Sequence, residues 1–266
     1  MGEVYVITSG KGGVGKTTVT ANLGIGLALG GARVVTVDAD IGLRNLDVVL
    51  GLENRIVFNI VDVVEGSCRL EQALVRDKRV ETLFLLPAAQ TRTKEAVSPD
   101  QMIDVCSRLR EMFDYVLIDS PAGIESGFRN AAIGADKGIV VTTPEVSAVR
   151  DADRIIGLLE AMGKGTPQLI INRLRADMVE KGDMLSVRDV LDILAIPLLG
   201  IIPEDEEVIV ATNKGEPVIL RENSDASKAF KNIVARLQGY DVPLIELSSK
   251  KDTGFWSKIR KLFGGR

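Results

Sequence analysis

Short runs of β-branched and other apolar residues alternate with longer amphipathic stretches along most of the chain. Hydrophobicity within the short runs is nearly continuous, which is typical of parallel strands covered by helices on both faces. The pattern therefore predicts an α/β fold, with a doubly wound, mostly parallel sheet of about seven or eight strands and helices on both sides. The predicted strands are Val4–Thr8, Arg33–Val37, Thr82–Leu86, Tyr115–Asp119, Lys137–Thr142, Gln168–Asn172 and Leu198–Ile202.

The stretches between the strands have helical periodicity. The best marked helix begins after Ser98, because Pro99 occupies the first helical position and Gln101 completes a capping box with the serine. The predicted helices are Lys16–Leu29, Pro99–Met112, Ser147–Met162, Ser186–Leu194 and Asp225–Gln238.

A glycine-rich loop follows the first predicted strand and opens the first predicted helix. It matches the G-x-x-x-x-G-K-S/T pattern of a phosphate-binding loop (P-loop) in the strand-to-helix context that this pattern requires. Backbone N–H groups and the helix N-terminus would cradle phosphates, Lys16 would add mobile positive charge, and the Thr17 hydroxyl would bind Mg²⁺. The predicted phosphate-site residues are Gly10, Lys11, Gly12, Gly13, Val14, Gly15, Lys16, Thr17 and Thr18.

Aspartates end two further predicted strands. Asp119 lies at the sheet edge where doubly wound folds bind ligands, so it is the predicted second residue of the Mg²⁺ site. Asp38 and Asp40 follow the second strand, and their spacing places both carboxylates on one side of an extended chain. Asp40 is the candidate for orienting and polarising the attacking water. The alternative for either residue is that it caps the following turn.

The composition excludes several kinds of chemistry. The chain has no histidine, which excludes Ser-His-Asp and Cys-His nucleophile activation and histidine-based metal sites. Cys68 and Cys106 lie outside any Cys-x-x-Cys spacing, and this favours a reducing cytosol. Residues 1–9 have no basic n-region, so we expect a core strand rather than a signal peptide, and no apolar run approaches the length of a spanning helix.

An extra lysine, Lys11, distinguishes this loop from an ordinary P-loop. In this respect the chain resembles the deviant Walker A ATPases, and the likeness to their cell-division site-selection branch runs over essentially the whole chain. The strings that carry it are Asp40–Asp47, Asp119–Glu125, Pro144–Arg154 and Gly200–Asp205.

The resemblance implies a role for individual residues. Lys11 would reach the phosphates of the partner subunit in an ATP-bound sandwich dimer, and Asp40 would handle the water. The residues alone support a cation at Lys11 but leave open whether it serves its own subunit. The resemblance further implies that Asp119 holds Mg²⁺ through a water and that Ser120–Gly123 form a switch that senses the γ-phosphate. It implies that Asn172, Pro203, Glu204 and Asp205 surround the adenine base and that Glu145 contacts the nucleotide of the opposite subunit. Asp151 and Asp153 would lie on a partner-binding surface.

The last thirteen residues form a separate amphipathic pattern. At about 100° per residue the large apolar side chains share one face and the cations occupy the rest, which is typical of an interfacial helix on anionic lipid. The alternatives are a helix docked on the protein's own core and a calmodulin-like or nucleic-acid partner. The predicted membrane residues are Phe255, Trp256, Lys258, Ile259, Arg260, Lys261, Leu262 and Phe263.

These patterns predict a P-loop ATPase domain over residues 1–239, a linker over 240–253 and an amphipathic segment over 254–266. The net charge is −4, but residues 250–266 hold six basic residues against one acidic residue, so the rest of the chain is strongly acidic. An acidic domain disfavours the main alternative, a partition ATPase that binds nucleoid DNA. An iron–sulfur reductase would need paired cysteines near the switches, where there are none.

We therefore expect an ATP- and Mg²⁺-dependent ATPase that dimerises with ATP and attaches reversibly to the cytoplasmic face of the cell membrane. A single short amphipathic helix binds weakly, whereas two on one dimer gain a large effective-concentration advantage. The resemblance implies a role in placing the division site, with a division inhibitor recruited by the bound form and a topological-specificity partner stimulating hydrolysis.

Overall fold

A computed structural model describes residues 1–93 and 96–245. Eight strands in these ranges form a single sheet in the order β3-β4-β2-β5-β1-β6-β7-β8. Neighbouring strands are parallel except for β3, which runs antiparallel to β4. The strands are β1 (Glu3–Thr8), β2 (Val34–Asp38), β3 (Val75–Arg76), β4 (Leu83–Leu86), β5 (Tyr115–Asp119), β6 (Lys137–Thr142), β7 (Gln168–Leu174) and β8 (Leu198–Pro203).

Helices cover both faces of the sheet, and two separate hydrophobic cores lie between the sheet and these layers. The helices are α1 (Lys16–Leu29), α2 (Leu46–Leu50), α3 (Ile60–Val64), α4 (Leu70–Ala73), α5 (Pro99–Met112), α6 (Ser126–Ile133), α7 (Val146–Ala161), α8 (Ala176–Lys181), α9 (Val187–Leu194), α10 (Glu206–Asn213) and α11 (Asp225–Leu237). The predicted α/β class, parallel sheet and two-sided helical cover are confirmed.

The strand order positions the site. β1 lies in the middle of the sheet between β5 and β6, so the chain moves outward in opposite directions from this point. In open α/β sheets the crevice outside the carboxyl ends of such strands is the usual ligand position. The loops that follow β1, β2, β5, β6, β7 and β8 all leave from this one edge.

The long periodic elements agree with the sequence prediction within two residues at each end, and the capping box at Ser98 is present. The prediction missed β3 and six helices of four to eight residues. A segment this short spans one or two turns, which is too little for a hydrophobic period to stand out, and its stability comes from packing. The missed helices are α2, α3, α4, α6, α8 and α10.

The first residues of the predicted linker lie against the domain. The Arg236 guanidinium donates to the Val242 carbonyl (2.8 Å), and the Asn232 amide donates to the Pro243 carbonyl (3.2 Å). Leu244 and Ile245 pack against the cores. Within the described ranges, none of the helices is long and apolar enough to span a membrane.

The amphipathic-segment prediction lies outside the described residues, as does the linker from residue 246 onward. The residues concerned are Phe255, Trp256, Lys258, Ile259, Arg260, Lys261, Leu262 and Phe263.

Candidate functional site

The glycine-rich loop joins β1 to α1 and turns through two left-handed glycines, Gly13 (φ 77°) and Gly15 (φ 100°). A side chain is strained at either backbone conformation. At Gly15 it is also blocked in space, since a Cβ atom there would lie 2.3 Å from Nδ2 of Asn172. The loop therefore needs glycine at position 15 for two independent reasons.

Asn172 fastens β7 to this loop. Its buried side chain donates from Nδ2 to the Val14 carbonyl (2.7 Å), and its Oδ1 accepts from the Arg173 N–H (3.0 Å). Because only one Nδ2 proton is used, the amide keeps a second donor. Asn172 also lines the predicted base position.

Lys16 is the first residue of α1 and only 8% exposed. Burial lowers the pKa of its ammonium, while the carboxylates of Asp119 and Asp40 oppose this change. Asp119 ends β5 and is buried, and burial together with the Asp38 charge raises its pKa to about 7. The Thr17 hydroxyl and the Lys16 charge favour the ionised form of Asp119. Lys16 places one cation beside these buried carboxylates, so their negative charge is only partly balanced. A divalent cation bound between the carboxylates and the Thr17 hydroxyl would balance the rest.

Asp38 has the capping role that the sequence left open. Its Oδ1 accepts from the Asp40 N–H (3.0 Å), and its Oδ2 accepts from the Asn45 and Leu46 N–H groups (both 3.1 Å). This carboxylate therefore organises the loop between β2 and α2. Burial raises its pKa to about 6 in spite of these bonds.

Unlike the Asp38 carboxylate, the Asp40 carboxylate does not cap the loop. Its backbone carbonyl accepts from the Leu43 and Arg44 N–H groups, but its buried Oδ1 has no hydrogen-bond partner in the described part of the chain. A buried acceptor oxygen without a partner is costly unless water or a ligand satisfies it. The Asp40 carboxylate is thus free to hold a water beside Lys16 and Asp119.

Lys11 contacts two residues at the start of α7. Its Nζ lies 3.3 Å from Oε2 of Glu145 and 3.1 Å from Oγ of Ser147, at the start of α7, and its side chain is 43% exposed. The structure thus joins Lys11 to Glu145, two residues that the resemblance assigns to the opposite nucleotide. Asp151 of α7 also touches the loop, since a Cβ atom at Gly10 would lie 2.3 Å from its carbonyl oxygen.

The predicted switch Ser120–Gly123 lies beside the loop. The Ser120 N–H donates to the Ile7 carbonyl, and the Gly123 N–H donates to the Ser9 carbonyl (both 3.1 Å). Gly123 has φ 90°, so this segment makes a left-handed turn where β5 meets the P-loop. A change in the position of this segment would therefore also move the phosphate cradle.

A cavity of about 140 Å³ at the ends of β7 and β8 brings together four of the predicted base-site residues. Sequence reasoning missed Arg173, which lies in a left-handed conformation (φ 57°) at an irregularity in β7. Its Nε is 4.0 Å from Oε2 of Glu204 at the cavity rim. An arginine in a strand carries no signal in the sequence that reveals this bend. The predicted residues that line the cavity are Asn172, Pro203, Glu204 and Asp205.

The Asp205 carboxylate accepts hydrogen bonds at the N-termini of two helices. Its Oδ1 accepts from the Glu207 N–H (3.0 Å) in α10, and its Oδ2 accepts from the Ser224 hydroxyl (2.7 Å) and the Ala226 N–H (3.1 Å) at the start of α11. Any contact between this residue and a base would therefore come from its backbone. The carboxylate holds the base loop against α11.

We expect Asp205→Ala to lower the free energy of unfolding by about 2 kcal/mol, because the change removes the N-cap acceptor of α10 and a bond to α11. Urea denaturation measures the loss. Asp192→Ala on α9 is the matched control, since this carboxylate is 72% exposed and makes only an i,i+4 ion pair. Equal losses in the two variants would contradict the role of Asp205.

The buried acids predict an unusual pH dependence in the nucleotide- and metal-free protein. An aspartate has a pKa of about 4 when unfolded, whereas the folded-state pKa values of Asp38 and Asp119 are about 6 and about 7. The folded state therefore keeps protons that the unfolded state has released, so the free energy of unfolding decreases as pH rises from about 4 to about 7. The melting temperature should fall across this range, and less steeply in Asp119→Asn. A wild-type melting temperature that does not change with pH would refute the raised pKa values of Asp38 and Asp119.

The fold and the site define a class of protein, a P-loop ATPase. Residues 5–218 match the CobQ/CobB/MinD/ParA nucleotide-binding domain family, and the chain belongs to this family.

Comparison with individual proteins shows which kind of P-loop ATPase the chain resembles. Over 266 residues the chain is 54% identical to the septum site-determining protein MinD of Synechocystis sp., with both chains covered completely. Its fold matches MinD in the MinC:MinD cell division protein complex of Aquifex aeolicus (TM-score 0.86, 50% identity, 92% of this chain and 98% of that one). It also matches the Pyrococcus horikoshii septum site-determining protein MinD complexed with Mg-ADP (TM-score 0.81, 30% identity, 89% and 96%). The chain is therefore an ATPase of the MinD type that acts in division-site placement.

Proposed function

We propose that this ATPase is a nucleotide-controlled membrane switch: ATP binding brings two copies together, the paired tails attach to the membrane, and hydrolysis releases them. The position of Lys11 carries the proposal. Its ammonium contacts Glu145 and Ser147 of its own subunit, and its side chain is 43% exposed. A cation held at the surface in this way is available to the nucleotide of a second subunit, where it would stabilise the charge that develops on the transferred phosphoryl group.

Within each subunit the P-loop residues bind the phosphates. The backbone N–H groups of Gly10–Thr18 and the N-terminus of α1 surround the anion, and Lys16 neutralises its outer oxygens. Thr17 and Asp119 would hold Mg²⁺, Asp119 through a water. Bound Mg²⁺ supplies charge neutralisation between the outer phosphates. Asp40 orients the attacking water from the neighbouring loop.

Base recognition involves the second donor of Asn172 and the walls of the β7–β8 cavity. The backbone of residues 203–205 would flank the base, and Arg173 lines the same cavity beside Glu204. A guanidinium at this position could stack on a purine ring. The resemblance to adenine-binding relatives favours ATP.

The C-terminal tail, residues 254–266, supplies the membrane contact. Two tails presented on one dimer bind with a large effective-concentration advantage over a single tail, so dimerisation controls residence on anionic lipid. The location that follows is the cytoplasmic face of the cell membrane, occupied reversibly. The chemical step then acts as a timer for release.

Two protein partners complete the proposal. The complex of a relative with MinC supports a MinC-like division inhibitor as one of them. A MinE-like topological-specificity activator, which stimulates hydrolysis, is implied by the family resemblance. The exposed face of α7 near Asp151 and Asp153 is the candidate docking surface, beside the loop that carries Lys11.

The test uses Trp256, the single tryptophan, as a reporter. We expect its emission to shift to the blue on titration with anionic vesicles in the presence of ATP, and to shift weakly with ADP. Asp40→Ala should retain or strengthen the ATP response because ATP persists, whereas Lys16→Ala should lose it. Sedimentation of the same samples shows whether the dimer forms with ATP. A response equal with ATP and ADP would refute nucleotide control.

A further inference from the structure

A buried ion pair lies outside the nucleotide site, in the turn between β3 and β4. The Asp77 carboxylate accepts from the Arg79 guanidinium at both oxygens, from Nε at Oδ1 (3.3 Å) and from Nη2 at Oδ2 (2.8 Å). The Arg79 and Val80 N–H groups also donate to Oδ1. Burial alone would raise the pKa of Asp77, but these bonds hold it below its ordinary value. The carboxylate therefore fixes one side of the guanidinium.

The same guanidinium joins two segments that are far apart in the sequence. Nη2 of Arg79 donates to the Leu50 carbonyl at the end of α2 (2.6 Å), and Nη1 donates to the Gly215 carbonyl in the loop that follows α10 (2.8 Å). The two backbones approach closely, since a Cβ atom at Gly51 would lie 2.6 Å from the Gly215 carbonyl oxygen. Arg79 therefore bonds across a junction between α2 and α10 that leaves no room for a side chain at Gly51.

Helix α2 depends on such contacts more than a long helix would. It has five residues, and its N-cap residue, Asn45, makes no side-chain capping bond. A helix this short is not stable by itself. Asp38 holds its start, because Oδ2 accepts from the Asn45 and Leu46 N–H groups. Arg79 holds its end, where a cation bonded to the last carbonyl also favours the helix dipole.

The loop that carries Asp40 lies between these two points of attachment. Its first part is bonded to the Asp38 carboxylate, and its last part continues into α2. A shift of α2 would therefore move the Asp40 carboxylate relative to Lys16 and Asp119. The start of α10 has its own attachment, since Asp205 bonds it to α11. Loss of the Arg79 bonds should thus release α2 and its loop but leave the base cavity in place.

We propose that Arg79, anchored by Asp77, is a positioning residue for ATP hydrolysis: it holds α2 and thereby keeps the Asp40 carboxylate where it orients the attacking water. This inference rests on the proposed function, which gives Asp40 that role. Arg79 acts from a distance. The turn that carries it precedes β4, which is parallel to β2, so it approaches from the edge of the sheet opposite to the end of β2 that Asp40 follows. The residue acts through α2 and not on the nucleotide.

The experiment exchanges Arg79 for lysine in the full chain. Arg79→Lys keeps a positive charge for Asp77 but replaces the planar guanidinium with one ammonium group, which cannot bond the carboxylate and both carbonyls. We expect kcat for ATP to fall about 10-fold, because a displacement of about 1 Å at a reacting group can cost about 100-fold. Calorimetric titration should show ATP affinity changed by only a few-fold. Asp77→Asn, which removes the charge that fixes the guanidinium, should lower kcat in the same direction.

Two comparisons separate positioning from general loosening. Arg236→Lys is the matched control, because the Arg236 guanidinium also donates to backbone carbonyls but to none in α2. It should lower the melting temperature about as much as Arg79→Lys and leave kcat unchanged. In an Asp40→Ala background, Arg79→Lys should cause no further loss in single-turnover hydrolysis, since the group that it positions is absent. The carbonyls that Arg236 bonds are those of Leu198, Leu199 and Val242.

Four outcomes would overturn the inference. Wild-type kcat in both Arg79→Lys and Asp77→Asn means that the ion pair has no role in hydrolysis. An equal loss of kcat in Arg236→Lys means that any loosening of the domain slows the reaction. ATP affinity that falls in step with kcat means that Arg79 acts on binding, and a full further loss in the Asp40→Ala background means that it does not act through Asp40. The proposed function is tested separately, because only a wild-type rate in Asp40→Ala alone contradicts the role of Asp40 with the water.

Discussion

Lys16→Ala is expected to reduce ATP hydrolysis by about 1,000-fold or more and to weaken ATP binding at the same time. The lysine supplies the only ammonium buried at the start of α1, and removal of one preorganised group that stabilises developing negative charge costs about 100- to 1,000-fold by itself. Loss of phosphate binding adds to this effect. Steady-state phosphate release and calorimetric titration with ATP measure the two losses.

The nucleotide-free Lys16→Ala protein should nevertheless stay folded. Burial lowers the pKa of Lys16, which means that the folded state holds this charge at a cost. The melting temperature without nucleotide should therefore equal or exceed that of wild type. Lys137→Ala is a suitable control, because Lys137 lies at the start of β6 with an exposed side chain and makes an ion pair with Glu3. A Lys16→Ala variant that hydrolyses ATP normally would refute the phosphate site.

Asp40→Ala is expected to slow hydrolysis by about 100- to 1,000-fold while ATP binding changes by only a few-fold. A group that positions or polarises the attacking water acts mainly in the transition state, so its loss appears in kcat and not in ground-state binding. The structural basis is the buried Oδ1 of Asp40, which has no partner within the described ranges and lies near Lys16 and Asp119.

The controls for this variant separate chemistry from folding. Asp104→Ala removes a carboxylate that is 66% exposed on α5, and it should leave hydrolysis unchanged. Asp38→Ala should instead lower stability, because it removes the acceptors of three backbone N–H groups in the loop that follows β2. If Asp40→Ala hydrolyses ATP at the wild-type rate, then Asp40 has no role with the water.

The short elements and the irregular positions mark the limit of sequence reasoning. Helix α10 has eight residues with apolar side chains on two faces, so its pattern resembles neither a regular amphipathic helix nor a strand. Arg173 bends β7 at the base cavity although arginine rarely adopts a left-handed backbone. Both features persist because neighbouring segments hold them, through Asp205 in one case and Asn172 in the other.

By itself the sequence determined the α/β class, the long strands and helices, the P-loop and its aspartates. These features depend on local patterns, because a buried parallel strand, an amphipathic helix and a glycine-rich turn each require particular residues at neighbouring positions.

Only the tertiary structure decided which polar groups meet. It showed that Asp38 caps a loop, whereas Oδ1 of Asp40 has no hydrogen-bond partner among the described residues. It also showed that Asp205 joins two helices and that Lys11 contacts Glu145, 134 residues away along the chain. The physical reason is that the pairing of a carboxylate or an ammonium depends on which strands are neighbours in the sheet. Chain crossovers, and not spacing along the sequence, determine that order.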